Sequence, residues 1–460
     1  MYLAGIDIGT TSITVILTKP EDGSVVRMVS KANDAELQRM YVWERAQNAD
    51  RIVELVAELI EECRDEWTHV HAIGISCQMH GILYVNDEGN AVGPLLTWQD
   101  GRGDLLMESG KNYASTLHEW TGYPVHSGFG LVTHFYMTKQ GEIPNGAVKL
   151  CTIGDYAAMK LCGKAAPLMD CSNAASIGLF SLQKRQFDKE QVSEAGMDAS
   201  FLPLLADGRQ QTVGRTADGK IVCCAIGDNQ ASFLGAVPSF KGTLLVNVGT
   251  GSQVSVYSSD YVVCPSLETR PFVDGGYLLV GASLSGGKSY ELLEQFYRDV
   301  CRAFGEIDDR RLYEVMNRLA EEARRDSAPP LRVGTQFFGT RDQPMSTGFV
   351  EGIRADNFNP RQLTAAFLHG ILDELDRYAQ QLPPAILGSL TRVAASGNGI
   401  RYNDTMQRLV KSRWLLPMKF GKVKEEAAFG AAIHAAVGSG LYSRYADALQ
   451  SMQGKDTEEE

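Results

Sequence analysis

One short pattern occurs twice in the chain, and Asp7 in the first copy corresponds to Asn247 in the second, 240 positions later. Each copy, at residues 5–15 and 245–255, reads as an apolar strand, a Gly-Thr turn and a second alternating strand. Such a hairpin exposes backbone N–H groups and short hydroxyls that can surround an anion. The alternative is two ordinary hairpins whose glycines only supply positive φ angles. Because the copies match in register, we expect two similar halves with a nucleotide held between them.

Small residues line both predicted turns, and we expect them to contact phosphate groups. Only the first copy carries a carboxylate, Asp7. A metal ion on nucleotide phosphates is usually held by one or two carboxylates plus water, so Asp7 is the predicted residue on the metal side. The predicted phosphate contacts are Gly9, Thr10, Thr11 and Ser12 in the first copy and Gly249, Thr250 and Gly251 in the second.

Composition limits the class of protein. With 460 residues, 44% of them hydrophobic, the chain is long enough for two domains, which we place at 1–238 and 239–460. The net charge of -12 argues against a nucleic-acid partner, whereas a metal ion and backbone dipoles can meet the charge of ATP. Nine cysteines without a CxxC pair indicate reduced core thiols and no structural zinc. Since no long apolar run or secretory signal is present, we expect a cytoplasmic protein without a membrane partner.

Hydrophobic periodicity predicts a mixed α/β chain. Residues 95–180 are less periodic and are interpreted as an insertion that carries substrate contacts. The acidic tail at 455–460 is predicted to be disordered. Helices are predicted at 50–67, 228–237, 289–304, 361–382 and 425–436, and strands at 71–77, 221–226 and 392–395.

Asp228 is the candidate general base. It follows Gly227 on a predicted strand-to-helix turn. A carboxylate within hydrogen-bond reach of an alcohol can accept its proton while a phosphoryl group is transferred. The alternative is helix capping, since aspartate at a helix start satisfies free N–H groups. Both roles are compatible, and position alone does not choose between them.

Two clusters, at 78–81 and 97–102, are dense in hydrogen-bonding side chains. A polyhydroxylated ligand needs many donors and acceptors plus an apolar wall, which Trp98 can supply. The alternative is a surface loop with an Asp100–Arg102 ion pair and a structural histidine. The candidate substrate contacts are Gln78, Met79, His80, Trp98, Asp100 and Arg102.

Two further glycine stretches lie between predicted strands and helices. Residues 281–289 fail the P-loop spacing, because Ala282 stands where that motif needs glycine, so Gly286 and Gly287 are placed where a backbone passes close to a ligand or helix. Residues 396–399 suit an adenosine contact, with Asn403 able to form hydrogen bonds. A simple turn is the alternative for this second stretch.

Taken in order, these motifs resemble the FGGY carbohydrate kinases over nearly the whole chain. The resemblance implies an α/β, two-lobed, actin-like (ribonuclease H-like) ATPase fold, with ATP in a central nucleotide cleft and sugar on the N-terminal side. The motifs that carry it are Asp7–Thr11, Gln78–Gly81, Trp98–Arg102, Gly227–Asn229, Gly249–Gly251 and Ser396–Gly399.

By matching position, the resemblance makes Asp7 the magnesium-side acid and Asp228 the catalytic base. Gln78, His80 and Asp100 become sugar contacts, and the motif at 227–229 adds Asn229 to them. The predicted nucleoside side is formed by Gly286, Gly397, Gly399 and Asn403. Many members of the family have a Gly-Gly-Gly-Ala run where this chain has Ser396–Gly399, so the chain departs from them at the adenine contact.

The resemblance implies an ATP- and Mg²⁺-dependent enzyme that phosphorylates the terminal primary hydroxyl of a ketose. Within the family the chain most resembles members that act on sedoheptulose. Xylulose is the alternative substrate, and an actin-like ATPase with a regulatory or chaperone role is the alternative of another class. A monomer and a homodimer both stay open. The stretches that carry this finer resemblance are Thr97–Arg102, Ile153–Tyr156, Leu161–Gly163, Asn173–Ser176 and Ala282–Gly287.

Overall fold

The computed structural model describes residues 1–207, 211–305, 312–326, 329–340, 343 and 345–454, so the predicted disordered tail at 455–460 lies outside the described residues. The chain forms two compact units. The first comprises Met1–Ser239, Arg270–Tyr277 and Lys422–Glu460, and the second comprises Phe240–Thr269 and Leu278–Gly421. The first unit therefore includes two segments that the sequence analysis placed in the second domain.

The strands and helices up to residue 239 build most of the first unit. The strands are β1 (Tyr2–Ile8), β2 (Ser12–Thr18), β3 (Val25–Ala32), β4 (Ala46–Gln47), β5 (Val70–Cys77), β6 (Leu83–Val85), β7 (Leu95–Leu96), β8 (Lys149–Cys151), β9 (Leu168–Met169), β10 (Phe180–Ser181), β11 (Gln186–Phe187), β12 (Leu204–Leu205), β13 (Thr212–Arg215), β14 (Ile221–Cys223) and β15 (Ile226–Gly227). The helices are α1 (Ala49–Glu62), α2 (Arg64–Trp67), α3 (Tyr113–Thr121), α4 (Gly130–Gln140), α5 (Ile153–Cys162), α6 (Cys171–Ile177), α7 (Lys189–Glu194) and α8 (Asp228–Ala236).

The remaining elements follow in chain order, and the last two helices return to the first unit. The strands are β16 (Thr243–Val248), β17 (Ser252–Ser258), β18 (Glu268–Pro271), β19 (Tyr277–Ser283), β20 (Arg332–Gly334), β21 (Phe349–Glu351), β22 (Arg392–Ser396) and β23 (Met418–Phe420). The helices are α9 (Gly286–Phe304), α10 (Leu312–Ala323), α11 (Pro360–Ala379), α12 (Pro384–Leu387), α13 (Asn398–Arg401), α14 (Asp404–Trp414), α15 (Glu426–Gly438) and α16 (Tyr445–Met452).

The repeated pattern forms a hairpin in each central sheet. In the first sheet, of order β13-β14-β5-β1-β2-β3, β1 pairs antiparallel with β2 and parallel with β5. In the second unit, β16 likewise pairs antiparallel with β17 and parallel with β22. Asp7 lies opposite Ser76 on the parallel neighbour, and Asn247 lies opposite Ser396 in the same arrangement. The predicted repeat of structure is confirmed.

Helix α15 closes the core of the first unit through very close backbone contacts. A Cβ atom on Gly5 of β1 would lie 1.8 Å from the carbonyl oxygen of Ala428, and one on Gly430 would lie 1.9 Å from that of Ala231 in α8. Only glycine permits such an approach, because any side chain would displace the facing backbone. Helix α15 therefore fixes both β1, which carries Asp7, and α8, which begins at Asp228.

One prediction from periodicity needs correction. The predicted strand at 221–226 is interrupted at Cys224 and Ala225, because their carbonyl oxygens accept hydrogen bonds from side chains: His434 Nε2 at 3.1 Å and Asn173 Nδ2 at 3.0 Å, respectively. The region 95–180, which is less periodic in sequence, contains the four helices α3 to α6. Helix α6 is buried along most of its length, so its sequence lacks an amphipathic period.

The thiol prediction is confirmed, since all nine cysteines are free and seven are buried. Within the described ranges, every helix is too short or too polar to span a lipid bilayer.

Candidate active site

Asp7 lies at the carboxyl end of β1, where ligand groups collect in sheets of this kind. Ser76 Oγ on the neighbouring strand donates a hydrogen bond to Asp7 Oδ1 at 2.7 Å. The pKa of Asp7 is nevertheless raised to about 7, mainly because the surrounding protein excludes water. The negative charges of Asp228 and Glu425 raise this pKa further, and the Ser76 hydrogen bond opposes the shift. A cation would relieve this repulsion, so the residues fit the magnesium ion that the sequence predicts.

Asp228 is the first residue of α8 and directly follows β15, which pairs parallel with the end of β5. A Cβ on its neighbour Gly227 would lie 2.7 Å from Met79 Sδ, so the start of α8 lies against the turn at 78–81. Loss of water raises the pKa of Asp228 to about 6, and the positive charge of Arg270 opposes that shift. Asp228 thus lies beside the predicted sugar-binding turn with a pKa close to neutral, which is the range a general base needs.

The predicted metal site does not require a cluster of several protein ligands. Among the described residues, no group of three or more His, Cys, Asp or Glu side chains is arranged to hold a metal ion. A magnesium ion on nucleotide phosphates keeps several water ligands and needs only one or two carboxylates. Asp7 therefore remains the predicted protein group on the metal side.

A hydrogen-bond network connects the first phosphate turn to the predicted sugar contacts. Thr10 Oγ1 donates to Gln78 Oε1 at 3.1 Å and accepts from Trp98 Nε1 at 3.0 Å. Gln47 joins both, because its Nε2 donates to the Thr10 carbonyl and its Oε1 accepts from Gln78 Nε2, each at 2.8 Å. Sequence reasoning missed Gln47, since it lies in a two-residue strand without a motif. Thr11 and the other turn residues of this copy are exposed or half-buried.

The Asp100–Arg102 pair is enclosed by protein. Asp100 is 1% exposed and Arg102 is 4% exposed, and Arg102 Nε donates to Asp100 Oδ1 at 2.6 Å. The second oxygen, Oδ2, accepts from the Arg45 backbone N–H at 3.0 Å. The guanidinium lies 5.6 Å from the ring centre of Trp43 and 5.5 Å from that of Tyr136. These contacts hold the loop at 97–102 in place. Of the three residues in this loop that were predicted to bind substrate, only Trp98 is largely exposed, at 46%.

His80 has a strained backbone, with φ at 72° in the left-handed region that favours glycine. Its ring stacks on Phe129 with 4.5 Å between ring centres. Gln78 and Met79 of the same turn are buried, and Asn229 is 9% exposed beside Asp228. The structure therefore brings Asp7, Asp228 and the 78–81 turn together in the first unit, and their roles stay predictions.

The glycine motifs of the second unit converge on the turn between β16 and β17. The N–H of Gly287 donates to the carbonyl of Gly249 at 2.8 Å, and that of Lys288 donates to the carbonyl of Thr250 at 3.0 Å. A Cβ on Gly397, whose φ is 85°, would lie 2.4 Å from the carbonyl oxygen of Val248. The glycines therefore allow backbone segments to approach one another at this turn. The residues brought together are Gly249, Thr250, Gly251, Gly286, Gly287, Gly397 and Gly399.

Asn403 is held by protein groups. Its Oδ1 caps α14 by accepting from the Met406 N–H at 3.0 Å, and its Nδ2 donates to Asn317 Oδ1 at 2.9 Å. Tyr290 also donates to Asn317, at 2.9 Å. Asn317 lies on α10 and gave no sequence signal. The predicted contact of Asn403 with a nucleoside stays a prediction.

Comparison with known proteins agrees with the family that the sequence motifs resemble. Residues 2–235 match the N-terminal domain of the FGGY family of carbohydrate kinases. The chain is 29% identical over 475 aligned residues to a sedoheptulokinase of Mus musculus, which covers 93% of this chain and 96% of the relative. Other relatives carry the names glycerol kinase, gluconokinase and xylulose kinase.

Solved structures show the same fold. A ligand-bound xylulose kinase from Lactobacillus acidophilus superposes with a TM-score of 0.82 at 20% identity, over 99% of this chain and 93% of that one. Plasmodium falciparum glycerol kinase with ADP superposes with a TM-score of 0.81 at 17% identity, over the same shares. The predicted actin-like, two-domain α/β fold is confirmed. With half of its length matched by the family's N-terminal domain, the chain belongs to the FGGY family of carbohydrate kinases.

Proposed function

We propose that this sugar kinase transfers the γ-phosphoryl group of ATP to the terminal primary hydroxyl of sedoheptulose, giving sedoheptulose 7-phosphate. Sugar kinases of this family use ATP and a divalent metal ion. The observation that carries the proposal is the position of Asp228, beside the 78–81 turn and in the electrostatic field of Asp7. The 29% identity to sedoheptulokinases supports the choice of sugar.

In the proposed mechanism, each residue has one task. Asp228 accepts the proton of the attacking hydroxyl, so that the oxygen becomes a better nucleophile as the phosphoryl group arrives. Gln78, Trp98 and His80 orient the sugar through hydrogen bonds and an apolar wall. Magnesium, when bound, neutralises phosphate charge, and Asp7 holds it. The turn at 249–251, with Gly286 and Gly397, is proposed to face the nucleotide.

Xylulose is the second candidate substrate, because xylulose kinases appear among both the relatives and the solved structures. The chemistry is the same, and sedoheptulose is longer than xylulose by two hydroxymethylene units. The alternative of a regulatory ATPase without transfer chemistry is not supported, since the chain belongs to a family of carbohydrate kinases. The cytoplasmic location and the oligomeric state stay predictions.

A substrate panel tests the choice of sugar. ATP consumption should be measured with sedoheptulose, xylulose, ribulose, fructose, gluconate and glycerol, with the phosphorylated position read by NMR. We expect the highest kcat/KM with sedoheptulose and a 7-phosphate product. Higher kcat/KM with xylulose would select the second candidate, and ATP hydrolysis indifferent to every sugar would contradict transfer chemistry.

Arg270 gives a second prediction, on pH dependence. Arg270→Gln removes the positive charge that lowers the pKa of Asp228, so this pKa should rise above about 6. A base must be ionised to act, and the acid limb of the kcat profile should therefore move to higher pH. Profiles between pH 5 and 9 measure the shift. Arg270→Lys keeps the charge and is the matched control; an acid limb unmoved in Arg270→Gln would contradict the electrostatic assignment.

A further inference from the structure

Helix α6 contacts both turns that carry the proposed reactive groups. We propose that Ser172, Asn173 and Ser176 are positioning residues, which hold the turn before Asp228 and the turn at His80 at a fixed distance from each other. This inference rests on the proposed function, because it assigns Asp228 to the chemistry and His80 to the sugar.

Two side chains of α6 hold the backbone that leads into Asp228. Ser172 Oγ accepts a hydrogen bond from the Gly227 N–H at 3.1 Å, and Asn173 Nδ2 donates to the Ala225 carbonyl at 3.0 Å. The chain leaves the strand ladder at Cys224 and Ala225, so the Asn173 side chain replaces a strand hydrogen bond at Ala225. The Ser172 hydroxyl itself donates to Asp170 Oδ1 at 2.5 Å, which fixes its orientation as an acceptor for Gly227.

One turn further along the helix, Ser176 holds His80. Its Oγ accepts from the His80 backbone N–H at 3.2 Å, and its carbonyl oxygen lies 2.6 Å from His80 Nδ1, which must donate. His80 is the residue with φ at 72°, a conformation that persists only where neighbouring contacts hold it. The two contacts with Ser176 therefore stabilise the strained turn and set the direction of the imidazole ring.

The spacing of the two serines makes α6 a rigid connection. Residues four apart lie on the same face of a helix, about 6 Å apart along its axis. Ser172 is 3% exposed, Asn173 is not exposed and Ser176 is 5% exposed. Burying a polar side chain costs stability unless it is hydrogen-bonded. If these three positions only had to fill space, an apolar residue such as alanine would stabilise the fold more. The helix thus sets the separation between the base and the sugar-binding turn.

Single alanine variants separate positioning from general stability. Ser176→Ala loosens the His80 turn and should raise the KM for sugar about tenfold while kcat changes little, the scale expected when a buried N–H loses its partner. Ser172→Ala frees the Gly227 N–H and should lower kcat about tenfold while KM changes little. Sugar-induced thermal stabilisation should weaken in Ser176→Ala and persist in Ser172→Ala. Ser193→Ala is the control, because Ser193 is exposed and donates only to Lys189 in its own helix.

Both serines should also be changed to cysteine, which keeps an atom at the γ position and weakens the hydrogen bond, in case an alanine variant fails to fold. The assay uses whichever sugar the wild-type protein phosphorylates. Variants that lower kcat and raise KM alike, or change neither, would overturn the inference while wild-type activity upholds the proposed function. A wild-type protein without sugar-dependent ATP use would instead overturn the proposed function and, with it, this inference.

Discussion

Asp228→Asn should lower kcat by roughly 10²- to 10⁴-fold, the usual effect of losing a general base. The amide keeps the shape of the carboxylate but cannot accept a proton at neutral pH. Gly227, and not Asp228, is the cap residue of α8, and the asparagine oxygen can still accept the hydrogen bond that the Asn229 backbone N–H donates to Asp228, so the loss of helix stability should be small. Sugar and ATP affinities should therefore change far less than turnover.

Single-turnover phosphoryl transfer, measured with enzyme in excess over ATP and with saturating sugar, tests this expectation. Asp65→Asn makes the same chemical change at an exposed position of α2 and is the matched control. The wild-type profile adds an independent check: with the pKa of Asp228 at about 6, kcat should fall as the pH drops below that value, because the base becomes protonated. Near-normal turnover in Asp228→Asn would remove this residue from the role of base.

The features that could be predicted from the sequence are those whose pattern lies within a few consecutive residues. The hairpin repeat placed Asp7 and Asn247 at equivalent sites, and the structure adds a serine partner for each: Ser76 Oγ donates to Asp7, and Asn247 Nδ2 donates to Ser396 Oγ at 2.8 Å. Those partners lie 69 and 149 positions away along the chain. No local sequence pattern identifies partners so far away along the chain. They become neighbours because β5 pairs parallel with β1 and β22 pairs parallel with β16.

Tertiary contacts account for what the sequence did not reveal. Gln47 and Arg270 lie in short strands without a motif, and each acts on a residue that is distant in sequence. Helix α6 is buried on nearly every side, so it lacks the alternation that identifies helices from sequence. The interrupted strand before Asp228 has an apolar sequence typical of a continuous strand, but side-chain donors from His434 and Asn173 take over its carbonyl groups.

Asp7→Asn should raise the free magnesium concentration needed for half-maximal activity by at least about 10- to 100-fold, which is the effect of losing even an outer partner of a metal site. The variant removes the charge that is proposed to hold the ion near the phosphates. The measurement is a magnesium titration at fixed ATP, with free magnesium calculated after chelation by ATP. Unchanged magnesium dependence would remove Asp7 from the metal side.

The pH dependence of the same titration separates a metal ligand from a merely structural acid. With the pKa of Asp7 at about 7, the proton and the metal compete for one carboxylate, so the wild-type magnesium requirement should rise as the pH falls below about 7. Ser76→Ala removes a hydrogen bond that lowers this pKa, so the rise should begin at a higher pH. Asp7→Asn has no carboxyl proton to exchange, so its requirement, although larger, should change between pH 6 and 8 only as far as ATP itself takes up protons. A wild-type requirement that is itself level over this range would show that Asp7 does not meet the metal, because competition for the carboxylate is unavoidable if it does.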